Sequence, residues 1–277
     1  MPLDTSTYAL SSLRLDGRRW NEIRRLQAQI STQAAADGSS YLEMGNTKVI
    51  CTVAGPAEGR RAGGQGGNND AKIEVEIGIA GFANVDRKKR SRTDKYAPIV
   101  VAAQLSAMKA DIKYRRIQEM QHTLATAFSA NLFTHLYPHS TISLSLHVLS
   151  NDGSLLAACI NAATLALIDA GIPMSDYLTA CTAGTTSFAA SSGPQGPAAD
   201  ADDPLLDLNT LEEQELPFMT IATLGASERV GVLVMETKVH VSRLEEMMAV
   251  GVDGCKRVRE LLDAVVREHG KRMVESE

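Results

Sequence analysis

Aromatic residues make up only 4% of this 277-residue chain, with one Trp, five Phe and six Tyr. Base stacking on rings is therefore not a principal way for it to hold a nucleic acid. Cysteine is also scarce. Cys51, Cys159, Cys181 and Cys255 stand far apart with no CxxC pair, which points away from zinc or dithiol redox motifs and toward buried thiols. No run of about 18 apolar residues is present. The opening "MPLDTSTYALSSLRLDGRRW" lacks the basic, apolar and small-residue order of a signal peptide, so an intracellular protein with no membrane partner is expected. The six His residues show neither HExxH nor paired metal spacing, and there is no P-loop, GxSxG or dinucleotide fingerprint. Neither a metal nor a cofactor is expected. A net charge of −5 argues against a uniformly basic nucleic-acid binder, although an average conceals patches.

What is present is an ordinary globular composition, 44% hydrophobic and 22% charged, in a chain long enough to bury a substantial core. Apolar residues alternate at Ile73, Val75, Ile77 and Ile79, and again at Ile142, Leu144, Leu146 and Val148, the pattern of half-buried antiparallel strands. "KVICTVAG" and "RVGVLVMETKVHV" predict further strands. Ile117, Met120, Leu124, Phe128 and Leu132 make one helical stripe ending before Pro138. A second helix is predicted from about Ser154 to Asp169, stopped by Gly171 and Pro173. A third begins at "SRLEE", where Ser242 and Glu245 have capping-box spacing, and runs to about His269. Strands and helices cluster without strict alternation, which favours α+β over a doubly wound parallel sheet.

Three stretches interrupt this order. "AEGRRAGGQGGNNDA" is a Gly-rich loop carrying Arg60 and Arg61, and "DRKKRSR" gathers Arg87, Lys88, Lys89, Arg90 and Arg92. "ASSGPQGPAADADDP", residues 190–204, is low-complexity and acidic and is expected to be a disordered surface insertion.

"LRLDGRRWNEIR", "GSSYLEMGNTKVICTVAGP", "NLFTHLYPHSTISLSLHVLSNDG", "NAATLALIDAGIP" and "DLNTLEE", in this order, closely resemble the RNase PH family, and within it the ring subunits of the eukaryotic exosome. The resemblance runs over about residues 13–269, taken as a single RNase PH-like domain. It implies an α+β fold built on a split β-α-β unit like domain 2 of ribosomal protein S5, with mixed and antiparallel sheets packed by helices. It also implies a hetero-hexameric ring of RNase PH-like subunits with cap subunits and a hydrolytic nuclease as partners, RNA as ligand, and residence in nucleus, nucleolus and cytoplasm.

Active members of that family cleave RNA from the 3′ end with inorganic phosphate as nucleophile. Such a site must neutralise an anion, usually at a helix N-terminus with a hydroxyl and an arginine. Counted back from "DAGIP", the family's Ser/Thr and Arg fall on Leu155 and Leu156, leaving Gly153, Ser154 and a helix dipole worth about 0.3–1 kcal/mol. Two family aspartates six residues apart fall on Asp207 and Glu213. A carboxylate there can act as a general acid or hold a metal. The plain alternative is an acidic, solvated turn, and the missing phosphate grip favours it. These four positions are expected to be vestigial, with no catalytic residue. The two basic clusters are expected to meet the RNA backbone at a pore or neighbouring subunit, or simply to be solvated loops.

One departure stands out. Family members pass almost directly from the basic loop into the helix that begins near Arg115, whereas this chain carries residues 96–114 between them. The segment is either an insertion whose apolar half packs on the subunit or a short intron translated by a faulty gene model. Its deletion would leave the natural junction "RTDKRRIQEM".

Overall fold

The computed structural model describes residues 13–14, 16–58, 70–83, 102–185, 204–225, 227 and 229–276, with the side chains of 102–114, 242 and 276 excepted. Strands β1 (Leu26–Ile30), β2 (Gly38–Met44), β3 (Thr47–Glu58), β4 (Lys72–Ile79) and β5 (Ser140–Ser150) form one sheet in the order β1-β2-β3-β5-β4. Strands β6 (Leu178–Thr185), β7 (Pro204–Leu206), β8 (Phe218–Leu224) and β9 (Val230–Met235) form a second, in the order β7-β6-β8-β9. The helices are α1 (Ala102–Asn131), α2 (Leu155–Asp169), α3 (Thr210–Glu215) and α4 (Val241–Ser276). This is the α+β class that the clustering of strands and helices predicts.

Helix α2 is the structural centre. It is apolar nearly all round, and every residue from Leu156 to Leu167 is buried, as expected of a helix enclosed on all sides. It packs against β2 and β3 of the first sheet and β6 of the second, so it joins the two sheets through one core. Its few polar groups anchor it. Asn161 donates to Ala180 O at 2.9 Å and accepts from Ala180 N–H at 2.8 Å, while Thr164 Oγ1 donates to Leu178 O at 2.7 Å. The approach on the other side is close. A Cβ at Gly38 would lie 2.4 Å from Ala166 O, so the β2 backbone can reach the helix only without a side chain there.

The stripe predicted on α1 is observed from Ile117 and Met120, which pack against the core, to the buried Leu124 and Phe128, whereas Leu132, also buried, lies one residue past the helix in a β-bridge to Met174. All four cysteines are buried free thiols, and burial pushes Cys159 up to about 12 and Cys255 up to about 11. No helix among the described residues is long and apolar enough to cross a membrane.

Two local expectations are corrected. The β4 and β5 patterns read as antiparallel, and β5 does pair antiparallel with β3, but β4 pairs with β5 in parallel, Ile73 opposite Ile142 and Ile79 opposite Val148. Alternation reports which residues face the core and is blind to strand direction. Direction follows from the connection, a crossover through α1 that returns the chain to the same edge. Helix α4 starts at Val241, one residue before Ser242, and continues past His269 to Ser276. A reciprocal cap occurs at α3, where Glu212 Oε2 accepts the Asn209 N–H at 2.9 Å.

Candidate functional site

Residues 151–154, between β5 and α2, meet the loop between β7 and α3 and a strandless N-terminal arm. The turn places Gly153 at φ +79, where a Cβ would lie 2.5 Å from Leu208 O. Ser154 follows in the left-handed region at φ 54, fully buried, as the residue that begins α2. Strain of this kind persists only where surrounding bonds hold it. Here those bonds come from Asp207, itself left-handed at φ 53.

Asp207 is completely buried and its carboxylate is saturated. Oδ1 accepts from Arg24 Nη2 at 2.7 Å and from Ser154 Oγ at 2.9 Å. Oδ2 accepts from the Arg24 backbone N–H at 2.9 Å and from Arg24 Nε at 3.0 Å. Ser154 Oγ has one proton, so it donates to Asp207 and accepts from Thr182 Oγ1, 2.5 Å away. Burial pushes the Asp207 carboxyl up, but the charge and hydrogen bonds of Arg24 more than reverse this and hold it below its ordinary value. With four donors on four lone pairs, Asp207 has none left for a metal or a reacting oxygen.

The N-terminal arm supplies two more arginines to the same loop. Arg14, itself buried, forms a two-pronged ion pair with Glu212 through Nε and Nη2 and donates to the carbonyls of Leu206 and Asp207. Arg18 donates to Asp207 O at 3.0 Å and Asn209 Oδ1 at 3.2 Å. Arg24 also reaches the carbonyls of Asp152 and Gly153, and so ties both loops together.

Glu213 has a different environment. Its Oε1 accepts the Ser154 N–H at 2.5 Å, placing a carboxylate on the N-terminal end of α2. Burial pushes its carboxyl up to about 7, with the Ser154 N–H and the charges of Arg116 and Arg24 pulling the other way. It borders a cavity of about 450 Å³ that Leu155, Leu156, Met120, Phe218 and Val234 line with apolar surface. At the rim, Arg116 pairs with Glu236 at 3.4 Å, both half-exposed.

The structure thus brings all four predicted positions together, Leu155 and Leu156 on the cavity wall and Asp207 and Glu213 beside the start of α2. It overturns the solvated-turn reading of "DLNTLEE": Asp207 and Glu212 are buried and ion-paired, and Glu213 is largely enclosed. Sequence reasoning missed Arg14, Arg18, Arg24 and Arg116. The signal available was four arginines in "LRLDGRRWNEIR" with no assigned partner. Arg60, Arg61, Arg87, Lys88, Lys89, Arg90 and Arg92 lie outside the described residues, as does the acidic stretch 190–204 apart from Pro204 in β7.

Comparison with known proteins agrees with this geometry. Residues 22–173 match the model of the 3′ exoribonuclease family, domain 1, and residues 176–254 that of domain 2. The boundary falls just after α2, between the two sheets. The chain is 37% identical to the exosome complex component SKI6 of Saccharomyces cerevisiae, over 96% of this chain and 95% of that protein. It is 35% identical to the exosome complex component RRP41 of Homo sapiens, over 92% of this chain and 91% of that one. In fold it is similar to rice Rrp46, with a TM-score of 0.67 at 24% identity over 90% of this chain and 98% of that one. It is also similar to a chain of the Archaeoglobus fulgidus exosome, with a TM-score of 0.65 at 18% identity, over 92% of this chain and 95% of that one. Both family domains in sequence order, and relatives that align over nearly the whole length, show that this chain belongs to the RNase PH family of 3′ exoribonucleases.

Proposed function

We propose that this chain is a non-catalytic RNase PH-like subunit of an RNA exosome core, binding and threading RNA for 3′–5′ processing by an associated nuclease. The observation that carries the reading is at the start of α2. Where a phosphate nucleophile needs a hydroxyl and a guanidinium, Leu155 and Leu156 present apolar surface, and the carboxylate of Glu213 already accepts the Ser154 N–H. A second anion brought to that end meets like charge, which disfavours phosphate further. The Asp207 carboxylate is consumed by Arg24 and Ser154. Relatives 35–37% identical along most of the chain are exosome complex components, which supports the assembly.

In this reading the partners are RNA, other RNase PH-like subunits in a hetero-hexameric ring, cap subunits and a hydrolytic nuclease, in nucleus, nucleolus and cytoplasm. Arg60, Arg61 and the cluster from Arg87 to Arg92 track the RNA backbone. Reversing Arg60 and Arg61 together should weaken RNA binding by the assembled complex uniformly across sequences and lower the salt slope by about one per lost phosphate contact. An unchanged slope would make them solvated loop residues.

The rival is a phosphate-dependent 3′–5′ exoribonuclease whose site is completed by a partner subunit. One observation favours it: a carboxyl pushed up to about 7 at a cavity edge is suited to proton transfer. Purification of the tagged chain with its partners, followed by RNA degradation with and without phosphate, decides. RNase PH-like partners with phosphate-independent decay support the proposal. Phosphate-dependent release of nucleoside diphosphates establishes the rival, and an isolated monomer sinks both.

A further inference from the structure

The cavity beside α2 combines apolar walls with a polar end at which two acceptor atoms have no donor among the described residues. Ile79, Ile117, Met120, Leu155, Phe218 and Val234 form the walls. At the polar end stand Glu213, of which only Oε1 has a donor among the described residues, and Asn151, whose Oδ1 is buried with no hydrogen-bond partner. A buried acceptor without a donor has lost its water and gained nothing in exchange, so a ligand that supplies donors gains by satisfying it.

Charge narrows the class. Among the described residues, Glu119, Glu213 and Glu236 border the cavity with Arg116 as the one cation, and Arg116 is engaged by Glu236 at the rim. An inorganic anion therefore enters a site with excess negative charge, apolar walls and a carboxylate at its end. A guanidinium meets each requirement. It has only donors, it matches a carboxylate in a planar fork, and an aliphatic stem of three or four carbons covers apolar surface. The volume of about 450 Å³ holds such a group with its stem.

We infer that the cavity receives a guanidinium on an apolar stem, directed to Glu213 and Asn151. The group is either a free alkylguanidine or an arginine side chain presented by a polypeptide. This does not depend on assignment to an exosome. Binding should strengthen as pH rises through about 7 and Glu213 ionises. Among the described residues, the charged groups around Glu213 are Arg116 and Glu119 from α1, Glu236 after β9, and Arg24 and Asp207 behind it. Arg24 and Asp207 neutralise each other.

The test is calorimetric titration of the full-length chain, in its purified complex, with four probes at pH 8: n-butylguanidinium, acetyl-Leu-Arg-Leu-amide, n-butanoate and inorganic phosphate. The guanidinium probes should bind at least about tenfold tighter than the two anions, and Glu213→Gln should weaken them about tenfold. Should that variant fold poorly, Glu119→Gln, at the exposed rim, should weaken them about twofold to threefold. Tighter binding of the peptide assigns the group to a polypeptide; tighter binding of butylguanidinium assigns it to a small molecule. Phosphate binding more tightly than either, no binding of either, or guanidinium affinity unmoved by both substitutions would overturn the inference.

Discussion

Asp207 and Glu213 lie six positions apart on one loop and short helix, yet they are opposite kinds of acid. Asp207 is held below its ordinary value by a buried guanidinium and four donors, and it stabilises the fold. Glu213 has one donor, stands at a cavity, and is pushed up to about 7. Burial is common to both, so burial alone does not set the outcome. What differs is whether a cation comes with the carboxylate. Arg24 reaches Asp207 from the N-terminal arm, whereas Arg116, the cation on Glu213's side, pairs with Glu236 at the rim.

Removing that cation from Asp207 is the harshest way to break the contrast. Arg24→Ala leaves a buried carboxylate unpaired and should cost about 3–5 kcal/mol, read from denaturant unfolding. Asp207→Asn in the same background should recover part of this, because Asn keeps the left-handed backbone and removes the charge. A cost of Asp207→Asn that is the same in the Arg24→Ala background as in the unmodified chain would show that the pair is not coupled.

Glu213 gives a smaller effect of opposite sign. Its folded pKa is above the unfolded value, so the native state binds the extra proton and stability falls as pH rises from about 4.5 to about 7. Above pH 7 the full cost is present. Glu213→Gln should therefore stabilise the protein by about 2 kcal/mol at pH 8 and by almost nothing at pH 4. A gain that is the same at both pH values would refute the linkage. For Asp207 the sign reverses: its contribution is complete above the ordinary Asp range and is lost as pH falls through its lowered folded pKa.

The paired replacement Leu155→Ser with Leu156→Arg sharpens the comparison through function. Phosphorolysis should remain absent in a nucleoside-diphosphate assay, because Glu213 still occupies the Ser154 N–H and Asp207 still has no free lone pair. Robust turnover would show that the acidic half of the site is intact. The smallest effect belongs to residues 96–114. Residues 102–114 continue α1 as helical backbone, and among the described side chains the stripe runs from Ile117. Deletion of the segment should move the unfolding midpoint by less than about 2 °C. A larger loss would show that it packs on the subunit.

Much of the fold was legible because periodicity reports burial. The α1 stripe, the α2 span and the alternation in β4 and β5 all record which side faces the core, and the core lies where they place it. Strand direction was not legible, since a parallel and an antiparallel strand bury the same alternate residues. The start of α4, read at Ser242, falls at Val241, because a Ser-x-x-Glu spacing is local while helix starts also depend on where tertiary packing begins. At the site, Leu155 and Leu156 were readable from the missing hydroxyl and cation. The fate of the acids was not, because Arg14, Arg18 and Arg24 are nearly 200 positions away and only folding brings them together.

By itself the sequence determined the α+β class, an apolar helix that must be enclosed, the family, and two leucines, Leu155 and Leu156, at the start of that helix. These follow from composition, period and residue order, which the chain carries before it folds. Tertiary structure decided which carboxylate is neutralised, which remains at the cavity with its pKa raised, and that one of them caps the end of α2 a phosphate would need. The reason is physical. A charge's state depends on the neighbours and the water left around it, and both are set by segments that meet only in the folded molecule.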